Sequence, residues 1–456
     1  MNKIIAIAIL AVRGAIRSRV VLVLLGLLLL AVVAVPLTVK SDGTPAGDVQ
    51  ILVRYTLGLA MLILSLSVLW AGCASVSLEW QSQRLQLVVT KPIHPLQLWL
   101  GKWLGLVALH VVLLAICGAV TAGLLKWRMR EPLRDPVDRE WLLDEILVAR
   151  RSLIPEPVNV DTAARLRFEE EQSRGRLPAD IPPETVVQAI RQNLLIQAFS
   201  ISPGGTREWH FPRPGRLDRE RSLLLRFRFS SSTPGPDRVT GAWVIRRGNN
   251  IPAVQVQTNM VATARHSIRI PCAALSGEGP LVVAYENIHT DPVTVLFSPE
   301  DGLEVLAYAG SFGPNYARAL LVLSGQLIFL AALGITAGSL FSMPVAAFVS
   351  GFVLLLVQMA GQLQSMAAQP VFLAGHRGEA ALSPLGAQAY RLFFKLLHAV
   401  MGPLQVSGSL EKLTTGVLVS WSETFRVLLT HGLIYPLLLA LLAAWIMRRR
   451  EVAMAG

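Results

Sequence analysis

The chain has 456 residues, of which 53% are hydrophobic and only 16% are charged. Soluble domains carry about 25% charged residues, so this composition argues against an ordinary soluble protein and favours a membrane protein. Apolar runs of about 20 residues, the length that crosses a hydrocarbon core, occur toward both ends of the chain. None falls between about residues 127 and 315.

The net charge of +12 is distributed in a way that argues against a nucleic-acid partner. Residues 127–315 contain 23 Arg, no Lys and 23 Asp or Glu, so this region is neutral. The excess positive charge lies in the remaining chain and mostly flanks the apolar runs, which is a signal of membrane topology. We therefore expect contact with a lipid bilayer and none with DNA or RNA.

The three cysteines predict neither a disulfide framework nor a metal cluster. Cys73 and Cys117 fall inside apolar runs, and Cys272 is alone in the central region. We expect all three to be small buried side chains.

Residues 1–126 form a predicted first membrane block. Residues 1–19 are basic and amphipathic, with Ile5, Ile9, Val12 and Ile16 at helical spacing, which is typical of a helix on an anionic inner leaflet. Three spans are predicted at 20–38, 52–76 and 100–125. The first follows several arginines without a clean small-residue cleavage site, so we expect a retained helix and not a signal peptide.

Three basic clusters define the predicted topology. They precede the first span, separate the second from the third, and follow the last: Lys3, Arg13, Arg17 and Arg19; Arg84, Lys91 and Lys102; Arg448, Arg449 and Arg450. An even number of crossings separates them, so all can be cytoplasmic. This arrangement predicts a multi-pass membrane protein with cytoplasmic termini and an extracytoplasmic insert at 127–315. Arg strongly outnumbers Lys, which suggests a GC-rich prokaryotic genome, so we expect the membrane to be a bacterial plasma (inner) membrane.

The insert is predicted to be an α+β domain. Residues 136–200 show helical spacing, as in Trp141, Leu142, Ile146 and Leu147, and a helix start at Pro182-Pro183-Glu184. Residues 206–307 show period-two segments separated by turn signals. About eight short strands with this punctuation predict an antiparallel β-sandwich, with segments at 223–229, 242–246, 254–256, 266–270, 281–285 and 293–297.

A second membrane block is predicted at 316–456, with spans at 317–340, 345–367 and 427–447. The chain as a whole is thus predicted to be an α-helical polytopic protein with about six spans. An uncharged cytoplasmic turn containing Phe341, Ser342 and Pro344 separates the fourth span from the fifth. Residues 385–402 predict an amphipathic helix at the outer membrane surface.

Motifs of catalysis are not found in the sequence. It contains no Gly-x-Ser-x-Gly elbow, no zinc-protease His-Glu pair and no phosphate-binding glycine loop. We expect no catalytic residue, no bound metal and no enzyme activity in this chain.

Within the spans, His110, Gln326, Gln358 and Gln362 are polar. They predict either interhelical hydrogen bonds or a proton or ion relay.

The connection between the second and third spans is the most informative stretch. Residues 79–97 predict an amphipathic helix, a break at Pro92 and Pro95, and a second interfacial helix leading into span three. Gly101 and Gly105 are four apart on one face and permit close helix packing beside Lys102. We call residues 79–97 the elbow. It predicts either a lever for force from a partner or an ordinary basic loop.

This stretch resembles the corresponding region of type-two ATP-binding-cassette (ABC) permeases, the exporter-like family with six spans per subunit. The matching residues are Glu79, Leu85, Leu87, Lys91, Pro92, Gly101 and Lys102. The turn at 338–345 and the basic end at 445–451 resemble the second cytoplasmic turn and the terminal motif of that family. Arg84-Leu85 stands where the family often has Gly-Thr, and His94 also departs from its pattern. Within the family, permeases of gliding-motility and copper-enzyme-maturation systems are the most similar.

The resemblance implies an ATP-driven exporter whose ATPase is a separate cytoplasmic subunit that binds ATP and Mg²⁺. The ATPase would dock on the elbow at Glu79, Arg84, Leu87, Lys91, Pro92 and His94, and a second permease subunit, identical or different, would pair with this one. An alternative is a membrane-anchored binding or mechanotransmission module that moves no substrate.

In the insert, Trp209, Trp243 and Tyr285 predict either core packing or a sugar-stacking face, so an envelope protein or a glycan is a candidate partner.

Overall fold

The computed structural model describes residues 3–39, 45–81, 94–130, 147–176, 183–214, 221–232, 238–248, 253–275, 279–298, 302–359, 384–406 and 408–454. The chain divides into two compact units. One contains residues 1–147, 311–367 and 391–456, and the other contains residues 148–310 and 368–390. Helices make up most of the described residues of the first unit, and the second contains nearly all residues of the strands.

Helices account for the first unit. Those before the central region are α1 (Lys3–Arg17), α2 (Arg19–Thr38), α3 (Pro45–Gln50), α4 (Leu57–Gln81) and α5 (Pro95–Arg128). The two helices α6 (Asp161–Ser173) and α7 (Pro183–Phe199) belong to the second unit. Those after it are α8 (Phe312–Leu340), α9 (Met343–Gln358), α10 (Pro384–Met401), α11 (Ser409–Thr414), α12 (Trp421–Leu429) and α13 (Tyr435–Met454). Wider π-helical turns at Ile51–Thr56 and Thr430–Ile434 join α3 to α4 and α12 to α13.

Among the described residues, five helical segments are long and apolar enough to cross a membrane, where the sequence predicts about six. They are Arg19–Pro36, Gly47–Glu79, Pro95–Arg128, Phe312–Leu340 and Trp421–Arg449. The predicted fifth span, 345–367, begins in α9, which has 16 residues. At 1.5 Å per residue α9 is about 24 Å long, which is less than a hydrocarbon core of about 30 Å. The rest of that predicted span lies outside the described residues.

Glycines bring α4 and α8 into backbone contact. A Cβ atom at Gly334 would lie 2.9 Å from the Leu69 carbonyl oxygen, and one at Gly338 would lie 2.5 Å from the Cys73 carbonyl oxygen. On the facing helix, a Cβ atom at Gly72 would lie 3.1 Å from the Gly334 Cα atom. Small residues four apart allow helices to approach this closely, and dispersion between the backbones stabilises the pair.

The amphipathic helix α1 packs against α5 at Gly101 and Gly105, which lie beyond the elbow. A Cβ atom at Gly101 would lie 2.6 Å from Ile7 Cβ, and one at Gly105 would collide with the Ala8 carbonyl oxygen. Ile5, Ile9 and Ile16 remain exposed. The four-residue glycine spacing predicts a close helix contact, and the structure shows that the partner is α1 of the same chain.

Ten strands are described in the second unit, in two antiparallel sheets. They are β1 (Val148–Leu153), β2 (Ser200–Ile201), β3 (Thr206–Phe211), β4 (Ser222–Ser231), β5 (Arg238–Arg247), β6 (Ala253–Val261), β7 (Arg265–Pro271), β8 (Leu281–Glu286), β9 (Val295–Phe297) and β10 (Leu303–Ser311). One sheet has the order β1-β10-β4-β9-β2 with β7 also paired to β4, and the other has the order β3-β8-β5-β6. All six predicted strand segments overlap these strands.

The prediction of helix throughout 136–200 is wrong in its first third, because residues 148–153 form strand β1. Trp141, Leu142 and Ile146 lie outside the described residues. Arg150 explains part of the difference, since its buried guanidinium donates hydrogen bonds to the carbonyl oxygens of Ser222 (2.6 Å) and Leu306 (3.4 Å). A cation held by carbonyls of neighbouring strands is a tertiary contact that local periodicity does not reveal. Helices α6 and α7 do occur, and α7 begins at Pro183 as predicted.

Aromatic rings join the two sheets face to face. Trp243 of β5 lies with its ring centroid 4.5 Å from that of Phe227 in β4, and Trp209 of β3 meets Phe297 of β9 edge-on at 5.2 Å. Trp209, Trp243 and Tyr285 are at most 3% exposed. They form the core and not a sugar-stacking face, so that part of the glycan hypothesis is wrong. Burial raises the pKa of the Tyr285 hydroxyl.

We expect Trp243→Ala to lower the free energy of unfolding of the second unit by about 3–5 kcal/mol, because it opens a cavity between the sheets. The measurement is the urea midpoint at which residues 148–310 of the full chain lose protease resistance in detergent. Trp127→Ala is the control, since Trp127 is 62% exposed. Equal midpoints for the two variants would contradict the assigned core.

Candidate functional site

The candidate site lies where the elbow meets the helix bundle. Glu79 is in the last turn of α4, and His94 immediately precedes α5. Between them, residues 82–93 lie outside the described residues, and so do the predicted coupling residues Arg84, Leu87, Lys91 and Pro92. The structure therefore describes the two ends of the elbow.

The first end is held by an ion pair. Lys102 Nζ lies 2.6 Å from Glu79 Oε2 and also donates a hydrogen bond to the Ser75 carbonyl oxygen. The Lys102 side chain is 5% exposed, whereas that of Glu79 is 41% exposed. An ammonium group that is buried next to apolar helices is costly unless it is paired. Glu79 thus compensates the charge of Lys102 and ties the end of α4 to the first turns of α5.

The second end is held by His94. Its Nδ1 accepts a hydrogen bond from the Leu96 backbone N–H at 3.3 Å, and Gln97 Oε1 accepts one from the His94 backbone N–H at 3.4 Å. This reciprocal pair is a capping box for α5. His94 Nε2 also contacts the Arg448 guanidinium at the end of α13.

The ring of His94 cannot make both contacts as an acceptor at once. A neutral imidazole has one acceptor nitrogen, because its other nitrogen carries a hydrogen. Either the Leu96 amide or the Arg448 guanidinium donates to it at a given time. His94 therefore links the cap of α5 to the position of α13.

Two tryptophans connect this end of α5 to the second block. Trp99 Nε1 donates to Thr336 Oγ1 in α8 at 3.2 Å, and Thr336 Oγ1 donates to the Leu439 carbonyl oxygen in α13 at 3.3 Å. Trp103 stacks on Trp99 and donates to the Ile328 carbonyl oxygen at 3.1 Å. Sequence reasoning missed these residues. The signal was present, since Trp99 and Trp103 are four apart and share a helix face.

The second predicted cytoplasmic turn is short. Helix α8 ends at Leu340, α9 begins at Met343, and Pro344 occupies the first turn of α9. Phe341, Ser342 and Pro344 are exposed. The turn thus presents an uncharged surface that includes an aromatic ring.

The polar groups inside the bundle hold helices together. His110 is fully buried in α5, where its ring nitrogens lie 2.8 Å from the Leu106 carbonyl oxygen and 3.2 Å from Ser67 Oγ in α4. This geometry is an interhelical hydrogen bond, the first of the two interpretations from sequence. Asp48 and Arg128 pair at 3.0 Å between the segment that leads into α4 and the end of α5. Gln362 lies outside the described residues.

The cysteines are free and buried, as predicted. Among the described residues, no group of three or more His, Cys, Asp or Glu side chains is arranged to hold a metal ion.

Comparison of the chain with protein-family models, with curated proteins and with solved structures finds no match.

We expect Glu79→Gln to lower the free energy of unfolding of the helical unit by roughly 1–3 kcal/mol, because the Lys102 ammonium loses its counter-ion while it stays buried. The double variant Glu79→Gln/Lys102→Met should recover most of this loss, since no buried charge is then left. The measurement is thermal unfolding of the full chain in detergent.

Glu208→Gln is the matched control for this cycle. It breaks an ion pair with Arg246 in which both side chains are 45% exposed, so its effect should be below about 1 kcal/mol. If the double variant is as unstable as Glu79→Gln, the ion pair does not account for the stability at this site.

Proposed function

We propose that this chain is the membrane-embedded permease subunit of an ATP-driven ABC transporter, of exporter type, and that it works with a separate cytoplasmic ATPase. It would reside in a bacterial plasma membrane with the elbow on the cytoplasmic side and residues 148–310 outside. A second permease subunit would complete the transporter.

Membrane embedding is supported by the surfaces of the helices. The helical segments that are long enough to cross a membrane carry many exposed leucines and valines, including Leu22, Val23, Leu29, Leu30, Leu437, Leu438 and Leu441. Apolar surface of this extent is costly in water and favourable in lipid.

The observation that carries the proposal is the anchoring of the elbow at both ends. Glu79 binds Lys102 of α5, and His94 contacts Arg448 of α13. A displacement of the elbow would therefore move α4, α5 and α13 together. The Trp99–Thr336–Leu439 hydrogen bonds extend the same connection to α8. A subunit without an ATPase site of its own needs such a connection to receive work from a partner.

A mechanotransmission module is the second candidate, and the contact between α4 and α8 favours it. The glycines at 72, 334 and 338 hold the two helices at backbone distance. Helices packed in this way transmit a displacement as one body and do not open a path between them. Substrate flux in vesicles that contain both subunits separates the two functions, because ATP hydrolysis without flux would favour mechanotransmission.

We expect the variant Glu79→Ala/Arg84→Ala to lose most of the ATP hydrolysis that the permease stimulates in its partner ATPase. The reason is that the variant removes the anchor of the elbow and one of its predicted contacts. The measurement requires affinity purification of the tagged chain from its native membrane in mild detergent, identification of the co-eluting ATPase, and an ATPase assay of the complex.

Arg246→Ala/Glu208→Ala is the matched control, because it removes an exposed ion pair of the second unit. Unchanged stimulation in the Glu79 and Arg84 variant would contradict the coupling role. Purification of the chain without any nucleotide-binding ATPase would contradict the transporter proposal itself.

The topology gives a separate prediction. A cysteine introduced at the exposed position Ser173 should react with a membrane-impermeant maleimide in cells whose outer envelope has been opened. A cysteine at Arg449 should react only after the plasma membrane is permeabilised. The native cysteines are buried, so unaltered protein serves as the control. The reverse pattern would invert the proposed orientation.

A further inference from the structure

A cavity of about 510 Å³ lies among α4, α8, α9 and the segment that leads into α11. It reaches from Gly58 to Leu66 along α4 and from Gly351 to Gln358 along α9. Ser65 is 14 residues from Glu79, so the cavity lies about 20 Å along α4 from the elbow anchor. In the proposed topology this is the outer half of the bundle. Its volume is in the range of small-molecule sites, about 300–1,000 Å³.

The walls of the cavity are mainly apolar, and the cavity opens on an apolar surface. Three leucines that line the cavity are also at least 44% exposed, so they lie where the cavity opens to the surface. They are Leu62, Leu66 and Leu355. If these helices cross the membrane, the opening faces hydrocarbon. An occupant that enters there comes from the lipid phase.

A few uncharged polar groups line the same space. Gln326 and Gln358 contribute amides, and Ser65 and Ser409 contribute hydroxyls. None of the described residues that line the cavity has an ionisable side chain. Such a lining suits a hydrocarbon chain with a neutral hydrogen-bonding group, and it disfavours an ion or a charged head group.

Ser409 supplies an independent indication of a ligand. The residue is 2% exposed, and its Oγ has no hydrogen-bond partner among the described residues. A buried hydroxyl without a partner costs free energy, so such groups usually meet a ligand or an ordered water. Ser409 lines the cavity, and the next residue, Leu410, has its Cδ1 atom 4.0 Å from a Cβ atom built at Gly58.

We propose that this cavity binds one acyl chain of a membrane lipid, with the ester carbonyl of that lipid accepting hydrogen bonds from Ser409 and Gln358. The chain extends past Leu354 toward Gly351 and Leu66. This inference rests on the proposed membrane location of the helices. It adds a lipid site to the permease, at a distance from the site that receives work from the ATPase.

Photocrosslinking tests the site. The full chain is reconstituted in vesicles of phosphatidylcholine that contain a small fraction with a diazirine in the acyl chain, then irradiated and mapped by mass spectrometry. We expect adducts on residues 58–66 and 351–358 at least fivefold above those on the exposed leucines of α13, which report surrounding lipid. Equal yields at the two places would overturn the proposal.

Gly351→Phe is designed to fill the cavity, because no heavy atom lies within 4 Å of a Cβ atom built at Gly351. We expect it to reduce the cavity adducts at least fivefold and to leave the α13 adducts unchanged. Gly26→Phe is the matched control, since Gly26 also has open space around it, in α2. Should Gly351→Phe fail to fold, Gly58→Leu is the second variant, with Leu410 Cδ1 4.0 Å away as its nearest neighbour. Cavity adducts that persist in a folded filling variant would overturn the proposal.

Two further experiments distinguish a failure of the proposed membrane location from a failure of the proposed lipid site. Extraction of the native membranes with alkaline carbonate shows whether the chain is embedded, so release of the chain would contradict the proposed function and not only the lipid site. An ether-linked probe should give at least twofold fewer cavity adducts, because its ether oxygen is a weaker hydrogen-bond acceptor for Ser409 and Gln358 than the ester carbonyl. Equal yields with the two probes would refute the assigned role of these side chains.

Discussion

The backbone contact between α4 and α8 is the constraint on which the helical unit depends. These helices belong to blocks that are separated in the chain by the whole β-domain, so no linker holds them together. Gly72 faces Gly334, and Gly338 faces the backbone of Cys73, at distances that leave no room for a Cβ atom at Gly334 or Gly338. Without this contact, the Trp99–Thr336 hydrogen bond and the cavity beside α4 would have no fixed geometry. Close packing of small residues therefore fixes the relative position of α4 and α8, which chain connectivity does not.

The parts of the fold that the sequence predicts are those determined by local pattern. Apolar length predicts the five long apolar helices of the described residues, and period-two alternation predicts strands such as β4 and β7, because each pattern depends on neighbours in the chain. Strand β1 shows the limits, and the predicted fifth span, 345–367, is described only in part. Helix α9 is apolar but has only 16 residues, and β1 owes its conformation to neighbours such as Ser222 and Leu306, which are far away in sequence. Periodicity also could not assign α1 as the partner of Gly101 and Gly105, since either lipid or protein can cover an apolar face.

The candidate site shows the same division. The sequence indicates that Glu79, Lys102 and His94 matter, since charged and polar groups next to apolar helices need partners. It does not indicate which partners they have. Lys102 is part of a basic cluster by sequence, yet in the structure its charge is compensated by Glu79 and it is buried. A basic residue that the sequence assigns to a topology signal can thus act mainly through an ion pair that joins two helices.

The two π-helical turns, at Ile51–Thr56 and Thr430–Ile434, change the direction in which the apolar faces of these helices point. A π turn holds about one residue more than an α turn, so it rotates everything beyond it by about 100° around the helix axis. A single helical wheel drawn through residues 45–81 or 421–454 would therefore mix side chains that point in different directions. Asp48, before the first turn, can face Arg128, while the residues after Leu57 present a separately phased surface to α8. Any future comparison of these two helices with others has to align each half on its own.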